Sequence, residues 1–211
     1  MKHELAQVAP SNRYALALGK FMQQFTQTEY QLVLLLRHFA GTSDEVGRAV
    51  FHGYRIDATK DAINRILDAT GNMEAKVRLE EPFSRLGAIN GMRNNIVHWG
   101  ARWYGAPYGA PFLVSNDRIA HTPERLREYA IKPDTLAEMR IDLEKIEHLL
   151  REECSEKPFI SAHLYDARIE PWLYIPLQPS RREKAPRDGS PPKRPRGRDA
   201  SPNSPQKKRR D

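Results

Sequence analysis

Cysteine and long apolar runs are scarce in this 211-residue chain, and their scarcity excludes several classes of protein. The single cysteine, Cys154, cannot form an internal disulfide, which is typical of a reducing compartment. The longest uninterrupted apolar run is Leu32 to Leu36, far below the roughly 20 residues that a membrane-spanning helix needs. Residues 1–5 also lack the apolar core of a secretion signal. We therefore expect a cytoplasmic protein with no membrane partner.

Side chains that bind transition metals are equally sparse. The seven histidines are scattered, and no two have the His-x3-His spacing that places two imidazoles on one helix face. One cysteine cannot build a zinc site of the thiolate type. We therefore expect no metal and no cofactor.

Basic charge is missing from most of the chain, although the net charge is +7. Residues 181–211 hold 12 of the 34 basic and 4 of the 27 acidic side chains, so this segment carries +8 and the first 180 residues carry −1. The segment is rich in proline, serine and cations and has too few apolar side chains to form a core. We expect it to be a disordered basic tail.

Apolar residues recur with the helical period over residues 13–153, which predicts a domain built mainly of helices. Its predicted helices span 13–40, 44–70 with a break near Gly53, Met73 or Pro82 to Trp99, and Pro133 to about Glu153.

Three further segments complete the predicted organisation. A small hairpin insertion before the last helix pairs Phe112–Val114 with Tyr129–Ile131, with a turn at 115–117. Residues 1–12 are an N-terminal extension. In residues 154–180 prolines stand among aromatic residues, which predicts an irregular arm that packs onto the body or onto a partner chain.

Two charged side chains interrupt the predicted apolar stripes. Glu29 lies between Phe25 and Leu32 in the stripe of the first helix. Arg93 lies between Leu86 and Val97 in the stripe of the third. A buried charge requires a partner, and each of these residues is the kind of partner that the other requires. Glu29 and Arg93 are therefore predicted to face one another.

The strongest chemical signal is the string Arg-Asn-Asn-Ile-Val-His at residues 93–98, followed by Trp99 and a natural helix cap, Gly100. Asn94 and His98 are four residues apart and share a helix face. A guanidinium fork matches phosphate oxygens, and an imidazole exchanges protons near neutral pH. The same residue types also occur together in many helices as ordinary surface side chains, so spacing alone leaves both interpretations open.

A helix that ends in Arg-polar-x-x-x-His resembles the HEPN superfamily of helical nucleotide-binding domains. A long amphipathic helix with an internal acid precedes it here, and a closing helix follows. Arg93, Asn94 and His98 match the Arg-x4-6-His motif of that superfamily, and the similarity covers roughly residues 13–153. The resemblance implies an all-α bundle of four to five helices. It also implies a homodimer in which two motifs face one another across a cleft.

The resemblance also implies a function. Many members are metal-independent endoribonucleases that act as toxins or in anti-phage defence. His98 would be the acid/base on the RNA 2′-hydroxyl and the leaving oxygen, Arg93 would hold the scissile phosphate, and Asn94 would orient His98 or the phosphate. Glu29 would brace Arg93 from behind. The alternative is a non-catalytic HEPN module that binds RNA, a nucleotide or a partner protein.

One departure from the superfamily concerns its regulation. Toxins that are paired with a nucleotidyltransferase antitoxin carry a tyrosine two residues after the histidine, and here that position is Gly100. The resemblance still implies an antitoxin or defence-system partner, but control by modification of such a tyrosine is not expected.

Aromatic and basic residues outside the motif are candidates for RNA contact. Trp103 and Tyr104 either pack within a glycine- and proline-rich loop or stack on bases. The tail is either a solubilising segment, a nuclear import signal or an electrostatic RNA-binding element. The tail residues proposed for RNA contact are Lys193, Arg194, Arg196, Lys207, Lys208, Arg209 and Arg210.

Overall fold

The computed structural model describes residues 10–102, 112–154 and 171–179. The described chain contains five helices and a three-stranded antiparallel sheet that precedes the last helix. The helices are α1 (Pro10–Ala40), α2 (Asp44–Phe51), α3 (Ile56–Thr70), α4 (Met73–Trp99) and α5 (Pro133–Glu153). The predicted fold class, a mostly helical bundle with a small sheet insertion, is confirmed.

Some of the predicted RNA-contact residues lie outside the described residues. These are Trp103 and Tyr104 and the seven cations of the tail, and the predicted disorder of residues 181–211 also falls there.

The helix ends follow local rules that the sequence displays. Gly41 and Gly71 adopt positive φ angles of 59° and 71° directly after α1 and α3, where a side chain would be strained. The side chain of Ser43 accepts a hydrogen bond from the backbone N–H of Val46 and caps α2. The predicted break near Gly53 is a real gap between α2 and α3, and Gly53 also has a positive φ of 79°.

The core forms where α1 packs along α5 and against α3. A hydroxyl within this contact is satisfied, because the side chain of Thr28 donates to the carbonyl oxygens of Gln24 and Leu143. Each fully buried Leu or Phe removed from water contributes about 1.5–3 kcal/mol. The largest fully buried side chains are Phe21, Phe25, Leu32, Leu35, Leu36, Ile63, Leu67, Leu79, Leu86, Ile89, Ile131 and Leu136.

The buried face of α4 differs from the predicted one beyond its midpoint. Leu86 is buried as predicted, but the buried face then continues through Ile89, Met92 and Ile96. Val97, which was assigned to the apolar stripe with Arg93, is 49% exposed, so that assignment is wrong. Positions 93 and 97 each come directly after a buried residue, Met92 and Ile96. Because successive helical residues are about 100° apart, both positions lie at the edge of the core.

The sheet has the predicted hairpin and one additional strand. Strands β2 (Phe112–Ser115) and β3 (Glu128–Ile131) are antiparallel, with Val114 opposite Tyr129. The connection between them is longer than the predicted three-residue turn and contains a 3-10 turn at Pro123–Arg125. The unpredicted strand β1 (Ala101–Arg102) follows α4 and pairs with β2.

The C-terminal arm, residues 171–179, is bound to α5 by a buried carboxylate. Asp142 is 1% exposed, and its two oxygens accept hydrogen bonds of 2.9 Å from the backbone N–H groups of Leu173 and Tyr174. Tyr174 is buried, and Trp172 packs against the core. Two aromatic side chains of the predicted arm thus lie on the body of the protein.

Tyr14 provides a prediction about stability and pH. Its ring stacks on Phe112 with centroids 3.6 Å apart, but its buried hydroxyl has no hydrogen-bond partner among the described residues. Tyr14→Phe should therefore raise the free energy of unfolding by about 1 kcal/mol in urea titrations, because it removes an unsatisfied polar group and keeps the stack.

The advantage of Tyr14→Phe should grow in alkali. Burial raises the pKa of Tyr14 to about 12, so the folded state disfavours the phenolate. The wild type is therefore fully stable below about pH 10, the unfolded value, and loses stability as the pH rises towards the folded value. Equal alkaline losses in both proteins would contradict this account.

Candidate functional site

The Arg93–His98 string occupies the last turns of α4. His98 is exposed in the final turn, and the backbone N–H of Gly100 closes the helix by donating to the carbonyl oxygen of Ile96 at 3.0 Å. Gly100 has a φ of 74°, which a side chain would strain. The helix therefore ends just after His98 and presents the imidazole to solvent beside the negative end of its dipole.

Arg93 is positioned by two neighbours. Its Nη1 donates to the Oδ1 of Asn94 at 3.0 Å, and its guanidinium carbon lies 5.2 Å from the centroid of the Phe25 ring. Stacking on an aromatic ring and a hydrogen bond within the helix restrict the rotamers of a long side chain. Arg93 is thus held at the α1–α4 junction while remaining half-buried.

These contacts leave several N–H groups of the Arg93 guanidinium without an acceptor. Its Nε is buried and has no hydrogen-bond partner among the described residues. The bond to Asn94 occupies one of the five N–H groups of the guanidinium. Hydrogens on the two Nη atoms therefore remain for an external acceptor such as a phosphate oxygen.

Glu29 lies within electrostatic range of Arg93, as predicted, but the two described side chains form no direct ion pair. Burial raises the pKa of Glu29 above its usual range, and the positive charge of Arg93 opposes that rise without cancelling it. The direct contacts to Arg93 are therefore those of Phe25 and Asn94, and Glu29 interacts with it only at longer range.

Two contacts of this region were missed from the sequence. Phe25 was assigned only to the core, although its ring also supports Arg93. The ring of Trp99 stacks at 6.1 Å on that of Tyr129 and ties the end of α4 to the sheet. Aromatic residues at these positions were visible in the sequence, but their pairing depends on the tertiary fold.

The arrangement combines a fixed cation with an exposed acid/base group five residues further along the same helix. Five residues are about 1.4 helical turns, so the two side chains leave α4 about 140° apart around its axis. Among the described residues, no three His, Cys, Asp or Glu side chains are grouped so that they could hold a metal ion.

A cavity of about 200 Å³ lies elsewhere, between the first half of α4, the second half of α5 and the arm. Trp172 and the buried Lys145 line it, with the ammonium group 4.0 Å from the ring centroid. Arg78 and Glu153, which also line it, form a two-point ion pair. None of the sequence-predicted site residues lines this cavity.

No family model, curated protein or solved structure shows a significant match to the chain. The HEPN resemblance therefore rests on the motif and its position. Within the described residues, no helix combines the length and apolar character required to cross a membrane.

Proposed function

We propose that the protein is a metal-independent endoribonuclease that uses Arg93, Asn94 and His98. The observation that carries the proposal is the half-buried guanidinium of Arg93, which Asn94 and Phe25 hold in place five residues before the exposed His98. A structural arginine would spend its donors on nearby acceptors, whereas Arg93 keeps most of its donors for an external group. The match to the HEPN motif supports the same conclusion.

The proposed reaction is transesterification within the RNA backbone. The imidazole of His98 accepts the proton of a 2′-hydroxyl as that oxygen bonds to phosphorus. The bond from phosphorus to the 5′-oxygen breaks, and an imidazolium returns a proton to the leaving oxygen. The products are a 2′,3′-cyclic phosphate and a 5′-hydroxyl. Arg93 stabilises the extra negative charge that the phosphate oxygens carry in the transition state.

Two proton transfers at opposite sides of the phosphorus are best served by two imidazoles. We therefore propose a homodimer in which the motif of each copy contributes half of the site, as the HEPN resemblance implies. A toxin or defence role in the cytoplasm, with an antitoxin or defence partner, belongs to the same proposal.

A non-catalytic RNA-, nucleotide- or protein-binding module is the second candidate. The near-neutral charge of residues 1–180 favours it, because nucleases often present a basic face. The discriminating observation is the placement of the two His98 side chains in the assembled protein. If they point apart, the second candidate is correct.

The test is cleavage of a mixed RNA panel in the presence of a chelator. Wild type should cleave, and His98→Ala should be slower by at least about 100-fold, because general acid/base groups typically contribute that much. His52→Ala is the matched control, since His52 is also exposed just after a helix end. Cleavage by all three proteins at one rate, or by none, would reject the proposal.

A further inference from the structure

The long connection between β2 and β3, residues 116–127, lies at the same end of the sheet as the end of α4. Ala101 pairs with Val114 in an antiparallel register, so the chain before Ala101 and the chain after Val114 leave the sheet together. The chain before Ala101 is the end of α4, with Gly100 and His98. The connection therefore begins beside the His98 end of the candidate site.

Side-chain hydrogen bonds hold the connection in one conformation. Asn116 accepts from the backbone N–H of Arg127 at 2.7 Å and donates to the carbonyl oxygen of Arg125 at 3.0 Å. Arg102, on the strand that follows His98, forms a two-point ion pair with Asp117 at 2.9 and 3.2 Å. Hydrogen bonds thus join the two ends of the connection to each other, and an ion pair joins the connection to β1.

Some charged side chains of the connection have hydrogen-bond or ion-pair partners and others do not. The connection holds two acids: Asp117 is neutralised by Arg102, and Glu124 is exposed next to Arg125 in the sequence. The guanidinium of Arg127 donates to two backbone carbonyls. Arg118 and Arg125 are exposed, and their side chains form no hydrogen bond or ion pair within the part of the chain that the structure describes. This hydrogen-bonded connection therefore exposes two cationic side chains to solvent.

We propose that Arg118 and Arg125 bind backbone phosphates of single-stranded RNA next to the nucleotide at His98. This inference rests on the proposed function, since it concerns the RNA that the same site would cleave. The hydrogen-bonded connection supports it, because the backbone that carries the two arginines is already ordered and only their side chains lose conformational entropy on binding. Exposed Ile119 and His121 lie between the two arginines in sequence and supply apolar and aromatic surface for an unstacked base.

The location also explains how a body without net positive charge attracts RNA. The basic side chains of residues 1–180 are nearly balanced by acidic ones, so this part of the chain carries no overall excess of positive charge to attract RNA. A local pair of unengaged arginines beside the site requires no excess of charge over the whole domain.

The experiment measures binding of the full chain to a single-stranded RNA in which every ribose is 2′-O-methylated, so that attack by the 2′-oxygen is blocked. Fluorescence anisotropy over a range of salt concentrations gives the dissociation constant and its salt slope. The double variant Arg118→Ala/Arg125→Ala should bind at least about 10-fold more weakly at low salt, with a slope reduced by about 1.4, because each phosphate contact on a single strand contributes about 0.7.

A control that removes the same charge elsewhere is Arg48→Ala/Arg65→Ala, since both residues are exposed on α2 and α3. It should bind nearly as wild type. Any contribution of the basic tail is common to all three proteins and cancels in the comparison. Equal affinities and slopes for the two double variants would overturn the inference.

The inference and the proposed function can fail separately. If wild type cleaves RNA but the Arg118→Ala/Arg125→Ala protein keeps wild-type affinity, the inference is wrong and the nuclease proposal stands. If wild type binds RNA through these arginines but cleaves none, the nuclease proposal is wrong and the inference stands. Absence of RNA binding by wild type overturns both.

Discussion

Arg93→Ala should lower the single-turnover rate of RNA cleavage by about 100- to 1,000-fold, the usual effect of removing one group that stabilises charge in the transition state. Arg93→Lys should recover part of that loss. A lysine keeps the charge but cannot reproduce the planar fork, and it cannot stack on Phe25 as a guanidinium does. Rates are measured with enzyme in saturating excess over RNA, so that weaker binding does not enter.

A folded variant is required for this comparison, because Arg93 is half-buried. Circular dichroism and a urea titration establish whether each variant retains the bundle. Arg65→Ala is the control for a lost positive charge, since Arg65 is exposed on α3. An Arg93→Ala protein that is folded and cleaves RNA at the wild-type rate would show that the guanidinium does not touch the scissile phosphate.

Asp142→Ala should cost about 2–5 kcal/mol of the free energy of unfolding and release the arm from α5. The carboxylate is almost completely buried, and its two hydrogen bonds are to backbone N–H groups. Hydrogen bonds to a charged group contribute about 1.5–3 kcal/mol each, and their loss leaves the N–H of Tyr174 buried without an acceptor. The measurement combines urea unfolding with hydrogen exchange of the peptide 171–179.

Two variants of α5 calibrate the effect. Asp142→Asn keeps the shape and one acceptor oxygen but turns an N–H group towards the second backbone donor, so an intermediate loss is expected. Glu144→Ala removes an exposed acid that pairs with Arg140, and its effect should be within about 1 kcal/mol. Unchanged exchange at Leu173 and Tyr174 in Asp142→Ala would contradict the proposed anchoring.

The parts of the fold that could be predicted from the sequence are those that local signals determine, such as the ends of helices. Glycines such as Gly41 and Gly71 end helices because they accept positive φ, and this rule needs no tertiary information. Strand β1 was missed because two residues carry no periodic pattern and depend on pairing with β2. The anchoring role of Asp142 was missed for a similar reason, since its partners lie about thirty residues away.

The sequence predicts which residues make up the candidate site but not the contacts that hold them in place. Arg93, Asn94 and His98 follow from the string itself and from the cap at Gly100. The expectation that Glu29 and Arg93 form a buried pair was based on a predicted apolar stripe that included Val97. That stripe is not buried as far as Val97, which is exposed. Contacts such as Arg93 over Phe25 depend on how α1 and α4 approach, which a one-dimensional pattern does not contain.

The most direct test of the central claim uses an RNA oligonucleotide with a mapped cleavage site and a matched oligonucleotide with a single 2′-deoxy ribose there. Wild type should cut the all-ribose strand in a chelator, leave a 2′,3′-cyclic phosphate and a 5′-hydroxyl, and spare the deoxy position. Cleavage at the deoxy position, or products with a 5′-phosphate, would contradict attack by the 2′-hydroxyl and with it the role proposed for His98.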